Sequence, residues 1–170
     1  MRSSAASDVY KRQPLVYDFA DKDQVFRDRD AVKLRQVKLV FAGTTDFKDY
    51  LEPMLKAIRK INNNEIKIIF DVVGPSPDAI ERMLECSNLT QCGINCYGRL
   101  SHENTLSIVR KADFSVLMRE NKRYAKAGVS TKFVEAMSLA VPSICTAVGG
   151  TDAFVTDGVD GVLIKDNSVH

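Results

Sequence analysis

The sequence predicts an α/β fold: an open parallel β-sheet covered by helices on both faces. Three observations lead there. Short apolar, β-branched runs alternate with segments of helical periodicity from Val37 to Ile164. The segments between the runs hold helices of roughly 10 to 15 residues, the length that returns a chain across a sheet. Glycine or polar loops follow most of the strand-like runs directly. Such strand-helix-strand units cross over right-handed and bury both faces of the sheet.

The elements follow in order. Residues 37–43 (VKLVFAG) read as a buried strand. A helix comes next, with Leu51, Met54, Leu55, Ile58 and Ile61 on one stripe, Pro53 early enough to be tolerated, and the Asn62-Asn63-Asn64 run ending it. Residues 66–74 form the second strand, and Ser76-Pro77 starts a helix reaching about residue 86, the hydroxyl capping and the proline at the first helical position. Residues 94–98 are a weaker third strand, Ser101 caps a helix carrying Leu106, Val109 and Ala112, and residues 113–118 are the fourth strand. A helix over 130–140, with Phe133, Val134, Met137 and Ala140 as its core stripe, leads to a strand at 142–146. A Gly149-Gly150 turn, a short helical turn at 152–156 and a strand at 161–164 complete the series.

Composition bounds the class. The 170 residues are 45% hydrophobic and 27% charged, the balance of one ordinary globular domain rather than a disordered or collagen-like chain. The longest stretch without a charged side chain, 136–151, contains Pro142 and falls short of the ~20 apolar residues of a membrane span. Residues 1–13 have no apolar core pattern and read as a non-native adapter remnant fused to a truncated gene, and the charge-dense residues 14–36 as a connecting segment. The ordered domain is expected over 37–170, cut short at its C-terminus. Residues 1–13 carry three basic groups and one acid, so the net charge of +2 lies there and the remainder is formally neutral. That gives no electrostatic reason to expect nucleic acid as a partner. The four cysteines form no C-x-x-C pair and the two histidines are His102 and His170, so zinc-ligand spacing is missing and no metal is expected. Reduced packing thiols in a cytoplasmic protein are the expectation.

Ligands of open α/β sheets bind outside the carboxyl ends of the strands. The loops there are 43–48, 74–76, 98–99, 119–129 and 148–151. The richest lies around residues 126–142, where Lys132 and Glu135, three apart, share the side of the helix away from the core stripe. Two readings stand: a surface ion pair worth ~0.5 kcal/mol or less, or two binding groups. In the second, the free N–H groups and partial positive charge of the helix start, with Lys132 in the first turn, hold a phosphate. Glu135 then accepts hydrogen bonds from a ribose diol, and Gly149-Gly150 ahead of Thr151 lets backbone approach the ligand. His102, after a capping serine, reads as a surface residue, and Asp71 as a satisfied polar group at a strand end.

The run Lys132-Phe133-Val134-Glu135-Ala136-Met137, followed by Val141-Pro142-Ser143-Ile144, Gly149-Gly150 and residues 157–164 (DGVDGVLI), resembles the nucleotide-sugar domain of glycosyltransferase family 4. Gly98-Arg99-Leu100-Ser101 and residues 112–117 fit the same order, and the resemblance covers about residues 37–166. It implies one Rossmann-like half of a GT-B enzyme, binding a nucleotide-diphosphate sugar as substrate with no cofactor and no metal. Carried over by position, Glu135 is the second glutamate of the family's E-x7-E signature, and Lys48 and Lys132 meet the donor phosphates. Gly43, Arg99, Arg119, Gly149, Gly150 and Thr151 complete the expected donor site. Two positions depart from the pattern: Ala127 stands where the first signature glutamate belongs, and Thr44 where an arginine follows the first strand's glycine, leaving Arg119 as the substitute cation. The resemblance further implies a retaining transfer to an acceptor glycan or lipid-linked sugar held by an N-terminal domain, and a full-length enzyme peripheral to a membrane. The fragment alone is expected to bind nucleotide without turnover. A nucleotide-sugar epimerase or a non-catalytic nucleotide-sensing domain reuses the same rim and stays open. A phosphoacceptor domain is disfavoured, because only Asp46 lies near the end of the first strand.

Overall fold

The computed structural model describes residues 36–44, 50–123, 125 and 128–164. The expected adapter remnant and almost all of the connector lie outside them. Six strands, β1 (Val37–Ala42), β2 (Ile68–Val73), β3 (Ile94–Gly98), β4 (Phe114–Leu117), β5 (Ser143–Thr146) and β6 (Gly161–Ile164), form one sheet in the order β3-β2-β1-β4-β5-β6. Every pairing is parallel. The helices are α1 (Leu51–Ile61), α2 (Pro77–Leu84), α3 (His102–Lys111) and α4 (Thr131–Ser138).

Alternation along β1 shows how the layers form. Leu39 and Phe41 point to one face, where they pack with Leu51, Leu55 and Ile58 of α1 and Ile80 and Leu84 of α2. Val40 points to the other and meets Val109 of α3 and Ala136 of α4. A strand with partners on both faces has to be apolar throughout its buried part, which is why β1 reads as an unbroken run. The sheet is an open α/β sheet of Rossmann-like order, as the sequence predicts. Among the described residues, no helix is long and apolar enough to cross a membrane.

The ends of the elements carry the differences from sequence. Ser76 and Ser101 cap α2 and α3 as expected, accepting from the Ala79 and Asn104 N–H groups at 3.3 Å. The expected core stripe of α4 is displaced. Phe133 and Ala136 are buried, whereas Met137 is 44% exposed, and Ala140 lies beyond the helix with a left-handed φ of 55°. Ala136 rather than Met137 faces the cluster of Val40, Val109, Ala112 and Val141. Asp71 is not at a strand end but inside β2, 8% exposed, where its Oδ1 accepts from Asn95 Nδ2 (2.9 Å) and the Tyr97 hydroxyl (3.2 Å). Burial, with the Asp71 charge beside it, raises the Tyr97 pKa.

Asn62, which closes α1, does more than end a helix. Its Nδ2 donates to the carbonyls of Ile68 (2.7 Å) and Cys92 (2.8 Å), and its Oδ1 accepts from the Lys67 and Ile68 N–H groups, both at 3.0 Å. One amide, 6% exposed, thus satisfies four backbone groups and fixes where β2 and β3 begin. Asn62→Leu is expected to cost about 2–4 kcal/mol in urea unfolding, because those groups lose their partner while staying buried. Asn62→Asp should also destabilise, since it sets a carboxylate against two carbonyl oxygens. Wild-type stability in either variant would refute this account.

Candidate functional site

The strand order reverses direction between β1 and β4, and the carboxyl ends of these strands open the crevice in which such sheets bind ligands. At the end of β1, the Gly43 N–H donates to Val73 O at 2.9 Å. The Lys132 ammonium occupies the space a side chain at Gly43 would need, with its Cε 3.1 Å from that Cβ position. It also lies 5.3 Å from the centroid of the Phe41 ring, close enough for cation–π attraction of about 0.5–2 kcal/mol. Phe41 belongs to the face covered by α1 and α2, while α4 lies on the other face. Lys132 therefore reaches over the rim of the sheet and sets a positive charge at the β1/β4 crevice.

The start of α4 has a second unusual feature. Ser130 is its N-cap residue, yet its side chain makes no capping bond, and its Oγ is buried with no hydrogen-bond partner. A buried hydroxyl left unpaired costs about 1–3 kcal/mol and calls for a reason. Lys132 and Glu135 do not act as a pair: from the same helix they diverge. Glu135, 23% exposed in its side chain, brings Oε1 to 3.1 Å from His102 Nε2 at the start of α3. His102 is 68% exposed, so the surface reading of it is correct as to exposure but misses this contact.

The glycine pair closes the site on its β5 side. Gly149 and Gly150 have φ of 74° and 82°. A Cβ at Gly149 would lie 2.5 Å from Ala125 O and 2.8 Å from Gly128 O, so the glycine turn is pressed against the loop that leads into α4. Thr151 faces inward: it is 2% exposed, and its hydroxyl sits 2.9 Å from Thr146 O and 3.3 Å from the Val148 nitrogen. Its side chain closes the turn rather than presenting itself to a ligand. Thr146 in turn exchanges two hydrogen bonds of 2.9 Å with the Arg119 backbone, which ties the end of β4 to that of β5.

The structure thus brings Gly43, Lys132, Gly149, Gly150 and the backbone of Arg119 to neighbouring strand ends, with Glu135 one turn into α4. Arg99 is exposed just past β3, two strands from β1 in the sheet. Lys48 and Ala127 lie outside the described residues. Sequence reasoning missed Ser130 and the His102–Glu135 contact; both depend on how α3 and α4 pack, which no local pattern encodes. A groove of about 620 Å³ between α1 and α2 lies away from this rim. Two of its basic groups are engaged, Lys56 with Glu52 (2.7 Å) and Arg59 with Leu84 O (2.6 Å). Among the described residues, no cluster of three or more His, Cys, Asp or Glu side chains is placed to hold a metal ion.

The two glycines should separate in mutagenesis. Gly150→Ala meets only a Val129 methyl at 3.8 Å, an ordinary contact, and pays the left-handed backbone cost alone, about 1–2 kcal/mol. Gly149→Ala adds a collision with two carbonyl oxygens and should cost clearly more, about 3 kcal/mol or above. Equal unfolding free energies for the two variants would show that the turn is not packed on Ala125 and Gly128.

Comparison with known proteins agrees with this architecture. Residues 36–170 match the family model of the glycosyl transferases group 1. The uncharacterized glycosyltransferase MJ1069 of Methanocaldococcus jannaschii is 26% identical over 162 residues, covering 91% of this chain and 40% of its own length. The uncharacterized glycosyltransferase MJ1178 of the same organism is 30% identical over 129 residues, covering 76% of this chain and 34% of its own. The chain therefore spans well under half the length of these relatives. Among solved structures, TarM superposes with a TM-score of 0.60 at 15% identity, over 81% of this chain and 28% of TarM. The catalytic domain of the cholesterol-alpha-glucosyltransferase from Helicobacter pylori superposes with a TM-score of 0.57 at 17% identity, over 79% of this chain and 80% of that one. At such identities the superpositions speak for the fold, and the family match speaks for descent: the chain belongs to the glycosyl transferases group 1.

Proposed function

We propose that this chain is the donor-binding half of a retaining glycosyltransferase that holds a nucleoside-diphosphate sugar at the β1/β4 crevice. The observation that carries the reading is the convergence at one rim of the Lys132 ammonium, the first turn of α4 and the Gly149-Gly150 turn. Backbone N–H groups at a helix start, a fixed cation and a glycine turn are what a diphosphate requires. Glu135, one turn further along the helix, supplies the acceptor for a ribose diol.

In the transfer, the bond from the anomeric carbon to the diphosphate oxygen breaks, and negative charge grows on the departing nucleoside diphosphate. Lys132 and the N–H groups of the α4 start stabilise that charge without rearranging, because the Phe41 ring and the missing Cβ at Gly43 already hold the ammonium in place. Such stabilisation asks for no metal ion. The Ser130 hydroxyl, buried and unpaired, lies beside the same turn. His102 steadies the Glu135 carboxylate between rounds of binding. The sugar acceptor, a glycan or lipid-linked sugar, binds in this reading to a second domain across the cleft. With Ala127 in place of an acidic residue, recognition of the sugar hydroxyls falls to other groups.

Calorimetric titration of the chain with uridine and guanosine diphosphates, the matching nucleosides and inorganic phosphate tests the proposal. At least one diphosphate should bind ten times more tightly than phosphate. Lys132→Ala should weaken the diphosphate about tenfold, equivalent to ~1.4 kcal/mol, and leave the nucleoside unchanged. Glu135→Ala should weaken nucleoside and diphosphate alike. If both diphosphates bind no better than phosphate, and neither substitution matters, the donor site lies elsewhere.

A further inference from the structure

Outside the crevice, the strongest unassigned chemistry is a pair of thiols at the opposite end of the sheet. Cys86 follows α2 and its left-handed cap residue Glu85, and Cys92 ends the 3-10 turn Thr90–Cys92 that leads into β3. Their sulfurs are 3.6 Å apart and both side chains are half-buried. The other two cysteines are placed differently: Cys96 donates to Pro75 O at 3.3 Å, and Cys145 is fully buried in β5. We infer that Cys86 and Cys92 are a peroxide-responsive pair that closes to a disulfide and staples the end of α2 to the start of edge strand β3.

The geometry is near what the bond requires. A disulfide sets its sulfurs about 2.05 Å apart, so the pair has to close by about 1.5 Å, within the reach of side-chain rotation in a turn segment. The carbonyl of Cys92 is already held by Asn62 Nδ2 at 2.8 Å, so its backbone is anchored while its side chain turns. Burial, reinforced by the hydrogen bond shared with Cys86, raises the Cys92 pKa. Either sulfur can open the reaction. Where Cys86 does, its thiolate takes one oxygen from hydrogen peroxide, giving a sulfenic acid and a hydroxide that the proton released by the thiol turns into one water. The Cys92 sulfur then displaces the hydroxyl group, which leaves as a second water with the Cys92 proton. Two thiols and one peroxide become one disulfide and two waters, the two electrons passing to the peroxide. The ring closed spans 86–92, and constraining it in the unfolded chain should raise Tm by about 5 °C.

The test treats the folded 170-residue chain with equimolar hydrogen peroxide and follows it by thiol titration in denaturant, peptide mapping and thermal melting. The expected result is a fall from four titratable thiols to two, a mapped Cys86–Cys92 cross-link, and a rise in Tm that dithiothreitol reverses. Cys92→Ser should leave Cys86 as a sulfenic or sulfinic acid with no cross-link, and the wild-type map stands without any variant. Four surviving thiols, a cross-link through Cys96 or Cys145, or a disulfide between two chains would each overturn the inference. A Cys86–Cys92 bond without a rise in Tm would overturn the staple. Nucleotide titration should be the same before and after oxidation, because the pair lies at the opposite strand ends from the crevice, so this inference and the donor-site proposal stand or fall separately.

Discussion

The site depends on a side chain that is not there. Any residue larger than glycine at 43 would place its Cβ where the Lys132 ammonium now sits, over the Phe41 ring. That one vacancy lets a lysine rooted on one face of the sheet bring its charge across the rim to the other. Phe41 can serve as its platform because β1 is central and its apolar residues are covered on both sides. The charge is thereby fixed by the same packing that stabilises the fold, which is how a pre-arranged electrostatic site is obtained at little cost in side-chain freedom.

The fold was legible in the sequence wherever one physical cause acted alone. β1, β3 and β6 are apolar or small-residue runs broken only by Lys38 and Asn95, and α1 carries a full amphipathic stripe, so their limits follow from pattern to within a residue. Ser76 and Ser101 announced their helices because capping is a local bond. The reading failed where a second layer intervened. Which residues of α4 are buried is set by how the helix sits against α3 and the sheet, and there Ala136 rather than Met137 faces inward. The site followed the same division. Lys132, Glu135 and the glycine pair were visible from spacing and from a family resemblance. The inward turn of Thr151, the unpaired Ser130 hydroxyl and the His102 contact all arise from tertiary packing.

Most buried polar groups in this protein hold the frame. Asn62 and Thr151 are buried and amply bonded, and each fastens loops at one end of the strands. Thr146 joins the ends of β4 and β5 in the same manner. Against that background two buried hydroxyls stand apart, Ser130 at the mouth of α4 and Ser143 in β5, since most buried polar atoms of folded proteins find a partner.

The strand order has a consequence for how the chain is made. β1 is the first strand of the sheet to leave the ribosome and pairs with β2 after a single helix, but its other neighbour, β4, begins only at Phe114. Through the synthesis of everything in between, one flank of the central strand shows bare amide and carbonyl groups to the cell, beside the greasy side chain of Val40. Translation speed across α2, β3 and α3 therefore sets how long a nascent chain stays sticky, and a pause there would expose it to unwanted pairing just before the second half arrives to seal it.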